Sequence, residues 1–423
     1  MKIGLALFIG GLFVAEAWLS MWTGMQYDMN IWFNTGNWMN QGINIYLPSD
    51  HLGYPPLWGF WCLISYRLYA SLGNNMETWR LIIKLPLLMA QFALAFIMGK
   101  FAQKRFGEKT ARKIFLIALT WIFFIYIGAM WGQLNMLSAL LTFAAFYAVI
   151  SKRTTVGAVL LGLAVTLKIY PLIVLPAFLA YLWKNRGKGE AGKFGLFTCA
   201  LPVIFTLAVF AIYQWDILFF LKTIFYWTPA FDVNPVLMQG GAMNIWSFLS
   251  LLNVDISQVT ILRFVWIPVV AAVAVYWFRK PRMDESDFNL ALISFYLLFM
   301  ISYAWVPEQS FVDVLPFIFL QIFGYRAKRS YLYALIVVQV LIFAFSFVNW
   351  GPFVFVPLMS PLTLDSLKFL FPTNPLIWSI REVLGLVVSL SLAAFLVALA
   401  KPAFYNQAWD KIRKKLSHTS LEK

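Results

Sequence analysis

The residues able to do chemistry in this chain are few, and they lie in short polar stretches between long apolar runs. Tyr27-Asp28-Met29-Asn30-Ile31-Trp32 places a carboxylate a few residues beyond the first apolar run, with no basic neighbour in sequence. A carboxylate at an apolar–water boundary is desolvated, which raises its pKa and suits it to act as a general base. The same Asp28 could instead cap an interfacial helix. Farther on come His51, by its type either a solvated loop residue or a catalyst, and Tyr54-Pro55-Pro56, a rigid extended turn. Trp131-Gly132-Gln133-Leu134-Asn135 reads as a tight hairpin, with Gln133 and Asn135 able to bind a sugar or to satisfy backbone.

Lys168, in Leu167-Lys168-Ile169-Tyr170-Pro171, is a cation with no acid nearby in sequence. An anionic ligand such as a phosphate would partner it, and the alternative is a side chain snorkelling to an interface. Glu308 follows Trp305-Val306-Pro307, and Asp313 lies in the next apolar run. Asn244-Ile245-Trp246-Ser247-Phe248 reads as packing. The acidic run Asp284-Glu285-Ser286-Asp287 precedes an apolar run, where carboxylates favour a helix amino terminus rather than a metal. With only His51 and His418, and only Cys62 and Cys199, His-based metal sites, a Ser-His-Asp hydrolase and a disulfide framework have little support. No metal and no cofactor is implied.

The elements that must position these residues are membrane helices. Hydrophobic residues make up 61% of the 423 and charged residues 12%, against about 45–50% and about 25% in soluble domains. Apolar runs occupy 3–24, 81–99, 114–131, 134–151, 156–183, 194–213, 259–278, 288–306, 311–325, 331–350 and 378–400, most of them near the ~20 residues of a spanning helix. The net charge of +15 would suit nucleic acid, but its distribution points elsewhere. Basic clusters fall in alternate gaps, leaving out only Arg67, Arg80, Lys84, Lys168, Lys222, Arg263, Lys368 and Arg381. That is the pattern of Lys and Arg retained on the cytoplasmic side, so no nucleic-acid partner is expected.

Two segments refine the count. Leu57–Gly73 is apolar enough to cross, yet a crossing would move every later basic cluster outside. It is expected to lie at the outer interface, which makes 25–80 one large external loop. Val156–Trp183 is too short for two full crossings and has basic clusters at both ends. Two short helices meeting inside the membrane satisfy both constraints, with Lys168 and Pro171 at the bend. Irregular backbone at that depth needs protein or a wet cavity over it, so Lys168 is expected to face a cavity. The resulting expectation is an all-α polytopic membrane protein with about twelve transmembrane helices, both termini cytoplasmic. A single domain covers 1–400, and 401–423 form a basic tail suited to anionic lipid headgroups.

In order and placement these residues resemble the GT-C class of integral-membrane glycosyltransferases, in particular the prokaryotic polyprenyl-phosphate-sugar-dependent mannosyl- and glucosyltransferases. The pattern is Asp28 and Trp32 after the first helix, Gly42-x-x-x-Tyr46, Tyr54-Pro55-Pro56-Leu57, Gly132-Gln133-x-Asn135, the run from Gly157 to Lys168 and Pro171, and Pro307-Glu308. The Asp-x-Asp pair of the GPI-type mannosyltransferases and the Arg-His-Trp of the eukaryotic glucosyltransferases are absent. The resemblance implies Asp28 as catalytic base, Lys168 and Arg80 at the donor phosphate, and Tyr54, His51, Gln133, Asn135 and Glu308 in the substrate pocket. It implies a polyprenyl- or dolichyl-phosphate sugar as donor, with mannose favoured over glucose. The acceptor would be a glycolipid or lipid-linked glycan on the outer side. A polytopic transporter or lipid flippase would use twelve helices and a buried lysine equally well. A degenerate assembly subunit is a third reading.

Overall fold

A computed structural model describes residues 2–47, 52–226, 243–252, 254, 262, 264–303, 308–326, 329–349, 351–358 and 375–400. Among them every regular element is helical. His51, Trp305 to Pro307 and the basic tail 401–423 lie outside the described residues.

Helix α1 (Lys2–Trp22) ends where Gly24 takes φ +153°, and α2 (Gln26–Asn40) starts two residues later. This turn brings Asp28 into the first turn of α2. After Tyr54-Pro55-Pro56, α3 (Leu57–Ser71) packs back on α2. The contact is close because residue 36 is glycine: a Cβ there would stand 2.4 Å from the Cys62 carbonyl oxygen. Helix α4 (Met76–Phe106) is capped by Asn75, whose side chain accepts from the Thr78 amide at 2.7 Å. Its 31 residues make about 46 Å of helix, longer than a hydrocarbon core of about 30 Å. Arg80, expected at the end of the external loop, therefore lies in the second turn of α4.

Gly107, at φ +85°, separates α4 from α5 (Glu108–Thr120). Trp121 breaks into extended backbone before α6 (Ile122–Ile125), which widens into a π-helical stretch over Tyr126–Trp131. Gly132 turns the chain at φ +91° into α7 (Asn135–Ile150), which is the expected hairpin. The expected broken pair is also present. Helix α8 (Thr154–Leu167) stops at Lys168, which is extended at φ −153°. A 3₁₀ turn (Tyr170–Val174) then leads into α9 (Leu175–Arg186). Pro171 lacks the N–H needed to continue α8, so sequence alone places the break.

The remaining helices are α10 (Lys188–Tyr213), α11 (Ile217–Tyr226), α12 (Ser247–Leu251), α13 (Trp266–Arg279), α14 (Glu285–Ser302), α15 (Phe311–Phe319), α16 (Arg329–Val348) and α17 (Pro375–Ala400). Asp284 caps α14: its side chain accepts from the Asp287 amide at 2.7 Å, and Asp287 accepts from the Asp284 amide at 3.3 Å. The acidic run is thus a helix start, as its position implies. Trp246 donates its indole N–H to the Ser302 carbonyl at 2.8 Å, so that loop does serve packing.

Seven helices among the described residues are long and apolar enough to cross a membrane, and α7, α8 and α13 are shorter apolar ones. Helix α14 lies at the centre of the molecule and α1 at its edge. Side chains such as Leu7, Val14, Phe197 and Ile204 face outward, as the lipid-facing surface of a multi-pass membrane protein requires.

Candidate active site

Asp28 does not cap its own helix. One carboxylate oxygen, Oδ2, accepts from the indole N–H of Trp131 at 2.7 Å and from the side-chain amide of Gln133 at 2.6 Å. Both donors belong to the hairpin between the π-helical stretch and α7. Among the described residues nothing donates to the other oxygen, Oδ1. The side chain is partly open to the surface. Burial pushes its pKa above the usual aspartate value, while the two hydrogen bonds and the charge of Lys168 pull it back. A charge-assisted bond holds an acceptor firmly, so Trp131 and Gln133 fix the direction in which Oδ1 points.

The Gln133 side-chain oxygen, Oε1, accepts from the Tyr54 hydroxyl at 3.4 Å. Burial, and then the neighbouring negative charge of Asp28, raise the Tyr54 pKa. Tyr54 therefore remains a neutral hydroxyl whose ring forms a wall of the site. Over that ring, 5.5 Å from its centroid, stands the Lys168 ammonium, which is also 6.0 Å from the ring of Tyr170. Such placements favour the cation.

Lys168 also donates to Asn135 Oδ1 at 3.1 Å, and the Asn135 amide donates to Asp313 Oδ2 at 2.5 Å. Asn135 and Asp313 are fully buried, whereas Lys168 is partly open. The site thus has two poles, Asp28 and Lys168, each partly accessible and each backed by buried polar groups. They influence one another electrostatically without forming a direct ion pair.

Of the residues named from sequence, Asp28, Tyr54, Gln133, Asn135 and Lys168 come together. Arg80 is half-buried and donates to the Met21 carbonyl at 3.2 Å, near the end of α1. Glu308 belongs to a second buried cluster. Its Oε2 accepts from Asn349 at 3.3 Å, and Arg381 holds the Val348 and Asn349 carbonyls at 2.7 and 3.1 Å. The Tyr126 hydroxyl, 3.0 Å from Ser346 Oγ, reaches this cluster, and the Tyr126 ring meets Trp131 edge-on at 5.8 Å.

Sequence reasoning assigned no role to Trp131, although it adjoins Gly132-Gln133, and it placed Asp313 in an apolar run without naming a partner for it. It passed over Lys84, whose signal was visible: a lysine inside an apolar run is costly and calls for a reason.

The chain has the fold of the crystal structure of ArnT from Cupriavidus metallidurans bound to undecaprenyl phosphate. The TM-score is 0.52 and the identity 13%, over 95% of this chain and 78% of that one. No curated protein matches it. Residues 54–302 match the family described as glycosyltransferase family 87. The match runs from Tyr54 through Gln133, Asn135 and Lys168, and it takes in more than half of the sequence. This multi-pass membrane protein is a GT-C class glycosyltransferase and belongs to glycosyltransferase family 87.

Proposed function

We propose that the protein moves a sugar, most favourably mannose, from a polyprenyl- or dolichyl-phosphate donor to a glycolipid or lipid-linked glycan. Transfer takes place on the outer side of the membrane, both termini being cytoplasmic, with inversion at the anomeric carbon. The observation that carries this reading is the pair of poles: a carboxylate aimed by Trp131 and Gln133, and an ammonium facing it without pairing to it. The undecaprenyl phosphate named in the ArnT structure supports a lipid-phosphate donor, and the basic clusters in alternate gaps support an outward-facing site. Nucleotide sugars are cytoplasmic, so an outward site calls for a donor delivered on a lipid.

The acceptor hydroxyl oxygen attacks the anomeric carbon from the face opposite the phosphate. The new C–O bond forms as the bond to the phosphate oxygen breaks, and the electron pair of that bond leaves with the polyprenyl phosphate. Asp28 takes the hydroxyl proton through Oδ1. Lys168 stabilises the charge on the leaving phosphate. One displacement with one base suffices because the phosphate is already a fair leaving group. Tyr54 lines the pocket around the sugar, with Gln133 and Asn135 behind it, and His51 is a further candidate for contact with the sugar.

The test is sugar transfer from labelled polyprenyl-phosphate mannose to a total lipid extract, with purified wild type and Asp28→Ala side by side in detergent. A labelled glycolipid made only by wild type is the expected result. No product from either protein, with the glucose donor tried as well, would overturn the reading.

A further inference from the structure

Lys84 lies on α4, is 0% exposed, and is one of the largest fully buried side chains of the molecule. The three N–H groups of its ammonium are shared among four backbone carbonyls: Ser20 at 3.2 Å, Thr23 at 2.7 Å, Ala129 at 3.0 Å and Met130 at 3.0 Å. The first two lie at the end of α1, just before Gly24 and the turn into α2 that carries Asp28. The other two close the π-helical stretch, just before Trp131 and Gln133, whose side chains hold Asp28. Carbonyls at a helix end have no partner within the helix and favour a cation. One ammonium therefore serves two helix ends at once, and it ties together the two chain segments that converge on the catalytic carboxylate.

The surroundings are shaped to this side chain. A Cβ at Gly132 would stand 2.9 Å from Lys84 Cε, and one at Gly24 would stand 3.6 Å from Nζ. Two weaker links run alongside: the one hydroxyl hydrogen of Ser20 is shared between the Glu16 carbonyl at 2.8 Å and the Ala129 carbonyl at 3.0 Å, and the Met25 amide donates to the Trp131 carbonyl at 3.3 Å. With its donors engaged by carbonyls and no exposed surface, Lys84 has nothing left for a substrate phosphate.

We propose that Lys84 is a positioning residue for sugar transfer, a buried cross-brace that sets where Trp131 and Gln133 hold Asp28, while Lys168 alone of the two lysines meets the donor. This rests on Asp28 being the base proposed above.

The experiment compares Lys84→Met with wild type, Asp28→Asn and Lys168→Met, measuring kcat and the donor KM with polyprenyl-phosphate mannose, and determines the structure of Lys84→Met in detergent. Displacement of a catalytic group by about 1 Å costs on the order of 10²-fold, so kcat of Lys84→Met should fall by about that factor. Its donor KM should stay within about threefold of wild type, whereas Lys168→Met should raise the donor KM. Trp131 and Gln133 should be displaced from the Asp28 carboxylate in the variant structure. A wild-type kcat, a donor KM raised as in Lys168→Met, or an unmoved Asp28 site would each overturn the proposal. If wild type transfers no sugar, the reading of Asp28 fails by itself, and the variant structure still decides Lys84. Should Lys84→Met fail to fold, Lys84→Arg keeps the charge but not the geometry of one ammonium shared by the two chain segments. Its kcat should fall at a donor KM within about threefold of wild type, and a wild-type kcat would overturn the proposal.

Discussion

Gln133 and Asn135, two residues apart in one hairpin, hold opposite charges. The Gln133 amide donates to Asp28 at 2.6 Å, and the Asn135 carbonyl oxygen accepts from Lys168 at 3.1 Å. A single turn of chain at the start of α7 thereby sets the spacing between the negative and the positive pole. Both amides are buried, so neither pole can shift without leaving a buried polar group unsatisfied.

Asp28→Asn keeps the volume and removes the base. The transfer rate should fall by ~10²–10⁴-fold, with polyprenyl phosphate still bound, since Lys168 is untouched. Single-turnover transfer and lipid-phosphate binding, measured on the same preparation, separate the two effects. Full activity in this variant would remove the proposed mechanism.

The pH profile carries the signature of Asp28. The base must be ionised, so activity should fall as pH is lowered through its pKa. Burial raises that pKa above an ordinary aspartate's, so the midpoint should lie higher than for an exposed carboxylate. Trp131→Phe and Gln133→Leu each remove a hydrogen bond that favours the charged form. Both should move the midpoint to higher pH, besides slowing transfer. A profile unchanged in both variants would separate Asp28 from the acid limb.

Asn135→Leu should cost both stability and donor affinity. It leaves Asp313 and Lys168 without the side chain that joins them, and an orphaned buried group costs about 1–3 kcal/mol or more when charged. A lower thermal midpoint in detergent with a raised donor KM is the expected pair of results. Wild-type values for both would mean that Lys168 is held by other groups.

Gly36→Ala tests the contact that seats the Asp28 helix. The added Cβ would stand 2.4 Å from the Cys62 carbonyl oxygen and 2.7 Å from Tyr66 Cβ. Helices α2 and α3 must then separate, and overpacking of this kind costs about 1–3 kcal/mol. Reduced thermal stability together with slower transfer is expected. A neutral substitution would show that α2 and α3 adjust without disturbing Asp28.

Much of the architecture was legible in the sequence because hydropathy and backbone chemistry act locally. Composition excluded a soluble globule, Pro171 and Lys168 marked the broken pair, and Gly132 marked the hairpin. Asp284 and Asp287 announced a helix start. Asp28 stood out because a carboxylate beside a membrane span without a basic neighbour needs a reason. Arg80 could not be placed within its element, since the capping bond from Asn75 to Thr78 that starts α4 so early is a local choice that hydropathy does not register.

What Asp28 and Lys168 lean on was decided only by tertiary structure. Trp131 and Gln133 lie 103 and 105 residues from Asp28, and Asp313 lies 178 residues from Asn135. No periodicity or spacing reports a hydrogen bond across such a separation, and only the packing of α1, α4, α7 and α15 brings those groups within reach. The same holds for Lys84, whose four carbonyl partners are backbone atoms and leave no mark on residue type. Sequence determined which few polar residues a lipid-embedded chain keeps. The fold determined which of them meet, because in an apolar interior a charged group must find its partners wherever the helices place them.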